Sequence, residues 1–330
     1  MTGATKVPAG NLIAFAVAAV IVAVVPWLLP PYIAFELAYA GAYAIAILGL
    51  IILTGFNGQI SLGHGAFMAV GGYAVALAVA RAGWPPEIAI LIAAALCAVL
   101  GALVGIAALR LSGAYLALAT FALAVSVAPL LKRFKETTGG SQGITFAAGH
   151  APGPLAGLLD SERWLYYETW LILGVLFAVS WFVLQGRLGR ALRALRDNEI
   201  AAVSFGINPS VYKTLAFAWS AAYAGVAGAL IASATAYVSP DSYTLQLSIT
   251  LLIGAVLGGL GSMWGAILGG LVVEFLPLWA QSINTAASSL IYGISLILVM
   301  IAMPGGIAEA IRRVSFTIIR PRIEGQPERS

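Results

Sequence analysis

Residues Gly189–Asn208 read GRALRALRDNEIAAVSFGIN, a polar segment held between two apolar runs that are each long enough to cross a bilayer. Arg190, Arg193, Arg196, Asp197 and Glu199 make it the largest cluster of charge in a chain whose residues are 61% hydrophobic and only 9% charged. Soluble domains carry about 25% charged residues, so this composition describes a membrane protein. The three arginines stand three apart, which on an α-helix lays them along one slowly drifting stripe, with Ala191, Leu192, Ala194 and Leu195 filling the rest. A short surface helix is predicted. It is too short and too charged to span the membrane, and a helix so placed is suited to dock on a protein outside it.

Working outward, at about 1.5 Å per residue a spanning helix needs roughly 20 apolar residues. Ten runs qualify: 11–29, 33–54, 59–80, 87–109, 112–131, 165–184, 213–238, 244–260, 264–281 and 284–303. The expected fold is an all-α, polytopic transmembrane helical bundle of ten spans. Glycine interrupts the third, eighth and ninth runs, which leaves eight or nine open as well. One membrane domain covers 1–310, with a cytoplasmic loop over 185–212 and a disordered tail over 311–330. The first run ends in Pro26, Trp27 and Leu28 where a signal peptide has small residues, so it reads as a retained anchor. Arg187, Arg190, Arg193, Arg196 and Lys213, together with Arg312, Arg313, Arg320 and Arg322, place the charged loop and both termini in the cytoplasm. Lys132, Arg133 and Lys135 then fall outside, before a turn-rich loop containing TTGGSQGI and APGPLAG.

The 37 glycines suit close helix packing, and Cys97, the single cysteine, reads as a small buried hydrophobe. The net charge of +4 comes from loop and tail arginines, without the basic stripe interleaved with aromatics that a nucleic-acid partner requires. Membrane lipids are the expected surroundings, and no cofactor or metal is called for.

Two glycine-rich stretches interrupt the apolar pattern, Gly55–Gly72 (GFNGQISLGHGAFMAVGG) and Gly254–Gly270 (GAVLGGLGSMWGAILGG). Broken helix at membrane depth is tolerated where the freed backbone groups face protein or a watery cavity. The first stretch adds Asn57, Gln59, Ser61 and His64, candidates for lining a solute path or for capping broken helix ends. Ser61 and His64 also raise an intramembrane hydrolase, against which stand the missing third group and the missing G-x-S-x-G elbow. Glu36 and Glu274 lie inside expected spans, where charge costs at least about 2.5 kcal/mol, and Glu274 joins the candidate path.

GFNGQISLGHGAFMAVGGY, then GRALRALRDNEIAAVSFGIN with YKTLAF, then GGLGSMWGAILGG, in this order and at this separation, resemble the permeases of branched-chain amino acid ABC importers, specifically the LivM-type subunit. The resemblance covers about residues 35 to 305 and implies inward transport by alternating access. It also implies four kinds of partner: a second, LivH-type permease subunit, two cytoplasmic ATPases, an extracytoplasmic solute-binding protein, and the bacterial inner membrane around them. The family's ATPase-coupling motif maps onto Gly189, Arg193, Arg196, Asp197, Glu199, Ala201, Ala202, Gly206 and Lys213. The chain has no G-x-x-x-x-G-K-[ST] phosphate loop, so nucleotide energy would come from another subunit. Urea, short amides or another small polar solute stay open as cargo, and an ion-coupled secondary transporter is the alternative from another class.

Overall fold

The computed structural model describes residues 20, 22–111, 113–147, 160–285, 287–303 and 305–311. The first expected span, the APGPLAG half of the turn-rich loop and residues 312–330 lie largely or wholly outside them.

Among the described residues eight helices are long and apolar enough to cross a membrane, and they coincide with the second to ninth expected runs. In chain order they are α1 (Pro31–Leu50), which continues through a π-helical turn to Phe56, α2 (His64–Ala82), α3 (Pro86–Ala108), α4 (Ala114–Arg133) and α5 (Ser161–Gln185). The polar segment forms two short helices, α6 (Arg187–Asp197) and α7 (Glu199–Ser204), and is followed by α8 (Pro209–Thr235), α9 (Leu245–Gly258) and α10 (Trp264–Ile283). The tenth run gives α11 (Ser288–Ala302), only 15 residues long. Proline opens α1, α3 and α8, where its missing N–H is no loss.

Alternate elements run in opposite directions, so the bundle has two ends. The α5–α8 connection marks the basic end. At the opposite end a two-stranded antiparallel ladder pairs Ile144 with Val238 and Thr145 with Tyr237, and Lys132 meets Asp241 at 2.6 Å.

Helices α1 and α8 form the centre: 78% and 72% of their spanning windows are buried, against 22% for α4. Small residues make this possible. A Cβ on Gly228 would stand 2.0 Å from the Met68 carbonyl oxygen, and one on Gly71 2.0 Å from that of Gly225, so α2 and α8 touch backbone to backbone. Cys97 donates its thiol proton to the Phe67 carbonyl and is buried against Gly225.

The two glycine-rich stretches differ. In the first, the third span does not begin at 59 as the hydropathy predicts: Asn57–Gly63 is non-helical and α2 starts at His64. Gly58 has φ +74°, and the Gly58 and Gln59 amides donate back to Thr54 and Leu53, which closes the end of α1. The second stretch is a close-packed hairpin of α9 and α10. A Cβ on Gly258 would meet the Gly265 oxygen at 1.9 Å, and one on Gly269 the Gly254 oxygen at 2.3 Å.

Candidate functional site

The polar segment folds as two helices instead of the single one its arginine spacing predicts, because Asn198 leaves helical geometry and caps the second. Its Oδ1 accepts the Ala201 amide at 3.0 Å. The far end of α7 closes with the Ile207 amide on Ala202 and the Gly206 amide on Val203, a Schellman arrangement in which Gly206 takes φ +80°. Asn208 then caps α8 through the Ser210 amide at 3.0 Å. Three local caps thus fix a helix–bend–helix unit with little freedom at its joints.

This unit is tied to the membrane helices at four points. Gly189, buried at the α5–α6 turn, has no room for a side chain, since a Cβ would lie 1.9 Å from the Leu184 oxygen. Arg193 donates to the Leu184 carbonyl at 3.3 Å and its guanidinium stands 5.8 Å from the centre of the Phe56 ring. Arg196 reaches across 141 residues to donate Nη1 to the Gly55 carbonyl at 2.7 Å, while Nε and Nη2 rest on Asp197 at 2.9 Å. Gly58 makes this possible, as its missing side chain leaves space for the Arg196 stem, 2.8 Å from where a Cβ would sit. Lys213 of α8 holds both carboxylate oxygens of Glu199, at 2.7 and 2.8 Å. Gly189, Arg193, Arg196, Asp197, Glu199, Ala201, Ala202, Gly206 and Lys213 therefore lie in one structural unit.

Its outer surface carries large apolar side chains among exposed charged ones such as Arg190, Asp197 and Glu199. Ile200 is 83% exposed and Phe205 86%, with Val203 and Val211 also exposed, although Ala191, Leu192, Leu195 and Ala202 pack inward. Beside them an open groove of about 650 Å³ runs between α6–α7 and the start of α8, bordered by Arg187, Arg190, Asn198, Phe205 and Tyr212.

One step further in, the Asn57–His64 connection is buried except at Gly58 and Ile60 and is densely bonded within this chain. Asn57 donates its amide to Gln59 Oε1, and Thr54 Oγ1 donates to the Gln59 carbonyl at 3.0 Å. The Leu62 amide reaches Thr120 of α4 at 3.0 Å, and Ser61 Oγ accepts the Gly63 amide at 3.2 Å. His64 Nε2 lies 2.7 Å from Ser220 Oγ, whose proton goes to the Gly49 carbonyl at 2.7 Å, so His64 is the donor to Ser220. The Gly65 amide completes the set on Ser248 Oγ at 2.9 Å. Asn57 Oδ1 and His64 Nδ1 are left buried without a partner. Ser61 and His64 engage different partners, which gives no support to a serine nucleophile activated by histidine.

Glu274 is not part of this group. It sits on α10 toward the opposite end, beside Glu36 of α1. Sequence reasoning marked the glycine-rich stretch that holds Gly55 and Gly58 but missed Thr120, Ser220 and Ser248 as members of the assembly; a lone hydroxyl in an apolar span was their only available signal.

Comparisons with known proteins show the family. The family model described as branched-chain amino acid transport system / permease component matches residues 32–300. The chain is 34% identical over 290 residues to the high-affinity branched-chain amino acid transport system permease protein LivM of Escherichia coli (strain K12), covering 80% of this chain and 67% of that protein. It is 26% identical over 293 residues to LivH of the same organism, covering 80% of this chain and 90% of that protein. A shorter stretch of 111 residues is 32% identical to the ribose import permease protein RbsC of Haemophilus influenzae, 32% of this chain and 34% of that one. No solved structure matches. With eight membrane-length helices and a match spanning most of its length, the chain is a multi-pass membrane protein that belongs to the branched-chain amino acid transport permease family.

Proposed function

We propose that this chain is one membrane subunit of an inner-membrane ABC importer that moves branched-chain amino acids inward. It would work beside a second, LivH-like permease, with two cytoplasmic ATPases and an extracytoplasmic solute-binding protein. Basic residues favour the cytoplasmic side, which assigns the α6–α7 end to the cytoplasm and the Ile144–Val238 ladder to the outside.

The observation that carries the reading is the double attachment of α6–α7. An exposed apolar tip at Ile200, Val203 and Phe205 is available to a groove on an ATPase, while the inner side is bonded to both central helices, to α1 through Arg196 and Gly55 and to α8 through Glu199 and Lys213. Movement of the tip is thereby passed to the two helices that make the core of the bundle. Asn57–His64 lies directly behind the Gly55 contact, and its bonds to α4 and α8, with that of the adjoining Gly65 to α9, extend the same displacement across the bundle. Its role in this reading is to transmit the movement.

Reconstitution tests it. Liposomes holding this chain, its permease partner and both ATPases, with the binding protein outside, take up a branched-chain amino acid only when ATP is inside. Uptake by this chain alone under a proton or sodium gradient would overturn the reading in favour of a secondary transporter. Titration of the binding protein with leucine, urea and acetamide identifies the cargo.

A further inference from the structure

The Asn57–His64 connection is bonded almost to completion, and two atoms depart from that rule. The amides of Gly58, Gln59, Leu62 and Gly63, the hydroxyl of Thr54 and Nε2 of His64 all have partners in this chain. Asn57 Oδ1 and His64 Nδ1 have none, and both are fully enclosed; of the six such side-chain atoms among the described residues, two fall in this one short stretch. Neutral His64 gives its single ring proton to Ser220 through Nε2, because the Ser220 hydroxyl is committed to Gly49, so Nδ1 presents a bare lone pair. Asn57 Nδ2 is engaged with Gln59. Turning that amide over would exchange its two ends and still leave one of them unpaired.

Depth makes these two atoms informative. Ser220 lies eleven residues into α8, roughly 16 Å along a helix of roughly 40 Å, and His64 shares that level. The connection therefore climbs from the Gly55–Arg196 contact at the basic end to near mid-depth as non-helical chain, and α2 opens there with no side chain capping its first turn. Irregular backbone at membrane depth persists only against protein or water. A buried acceptor without a donor is strongly disfavoured, and buried polar atoms that no protein group satisfies are bonded to ordered water.

We infer that the Asn57–His64 connection is a binding site for internal water, held by Nδ1 of His64 and by the amide of Asn57. The ligand has to donate hydrogen bonds, to be small and to be neutral. His64 is 1% exposed and Asn57 3%, which shuts out a side chain of a neighbouring subunit and any cargo molecule. An ion is disfavoured as well. Gly55–Gly72 holds no Asp or Glu to balance its charge, and the described residues contain no group of three His, Cys, Asp or Glu side chains that could hold a metal. Water meets all three conditions, and the exposed Gly58 and Ile60 keep the connection within its reach. The consequence is mechanical. Leu62, His64 Nε2 and Gly65 are pinned to α4, α8 and α9, whereas a water bond re-forms with each position of the joint, so the break between α1 and α2 can yield without leaving a polar atom bare. The site follows from the geometry of the connection and does not depend on what the chain transports.

The test is brief X-ray radiolysis of the full-length chain, in its assembled complex in lipid nanodiscs, followed by mass spectrometry. Hydroxyl radicals formed from bound water oxidise the side chains that the water touches. Met68, one turn further along α2 and fully buried, carries a readily oxidised thioether and serves as the dry control. His64 should gain oxygen during the exposure while Met68 does not; oxidation of His64 no faster than that of Met68 overturns the site. A second measurement uses the chain's having only two histidines, so that His150→Gln leaves His64 as its single imidazole. With this chain alone labelled with 15N-histidine, solid-state NMR should show Nε2 protonated and Nδ1 bare, with polarisation passing from water protons to Nδ1. A protonated Nδ1, or no transfer from water, overturns the site as well. Both measurements are read without uptake, so their failure is distinct from failure of the import reading.

Discussion

Replacing Arg196 by methionine keeps a long unbranched stem against Gly58 while removing the guanidinium. Lost with it is the bond from Nη1 to the Gly55 carbonyl at 2.7 Å and the fork on Asp197. A hydrogen bond made by a charged donor contributes about 1.5–3 kcal/mol. The Arg196 side chain is 39% exposed, so water competes for the carbonyl and the lower value applies. At about 1.4 kcal/mol per factor of ten, that predicts roughly a tenfold fall in the transmission of movement from α6 to α1. The assay is the ratio of cargo taken up to ATP hydrolysed in proteoliposomes, with complex assembly checked by size exclusion. The ratio should fall about tenfold while hydrolysis continues, and Arg196→Lys, which keeps the charge but loses the planar fork, should recover part of it. A normal ratio in correctly assembled Arg196→Met complex would refute the mechanical link through Gly55.

Ser220→Ala removes the bridge between His64 and Gly49 and leaves both without their buried partner; thermal unfolding in detergent should show a loss of about 1–3 kcal/mol, and an unshifted transition would count against the bridge. Gly228→Leu forces a side chain onto the Met68 carbonyl, 2.0 Å from the first added carbon, so α2 and α8 must separate. That overpacking is worth about 1–3 kcal/mol and should appear as loss of folded protein on extraction, with Gly174→Leu, where open space surrounds the glycine, as the unaffected control. Asn198→Ala removes the cap of α7 and should cost about 1 kcal/mol locally, seen as faster amide hydrogen exchange over 199–204 with the rest of the chain unchanged.

Spans from the second to the ninth were legible because length and hydropathy are additive over twenty residues, and the charged connection stood out for the same reason. What escaped depended on single residues or on distant partners. Arginines at 190, 193 and 196 share a stripe on paper, but each finds its own carbonyl, at Gln185, Leu184 and Gly55. The break at Asn198 is a side chain competing with the helix, a local event that apolar periodicity does not record. The late start of α2 follows from left-handed Gly58, and the π-helical turn over Ile51–Phe56 leaves no mark in composition. Glu36 and Glu274 are 238 positions apart, and only the packing of α1 on α10 brings them together.

The central claim is that α6–α7 is the handle by which foreign motor subunits move this bundle. Site-specific photocrosslinkers at Ile200 and Phe205, the two most exposed apolar positions of that unit, measure it directly when purified ATPases are added with no nucleotide, with ATP and with ADP. The account predicts covalent adducts to the ATPase whose yield changes with nucleotide. Absence of any adduct in all three conditions, in complexes that are otherwise assembled, would contradict it.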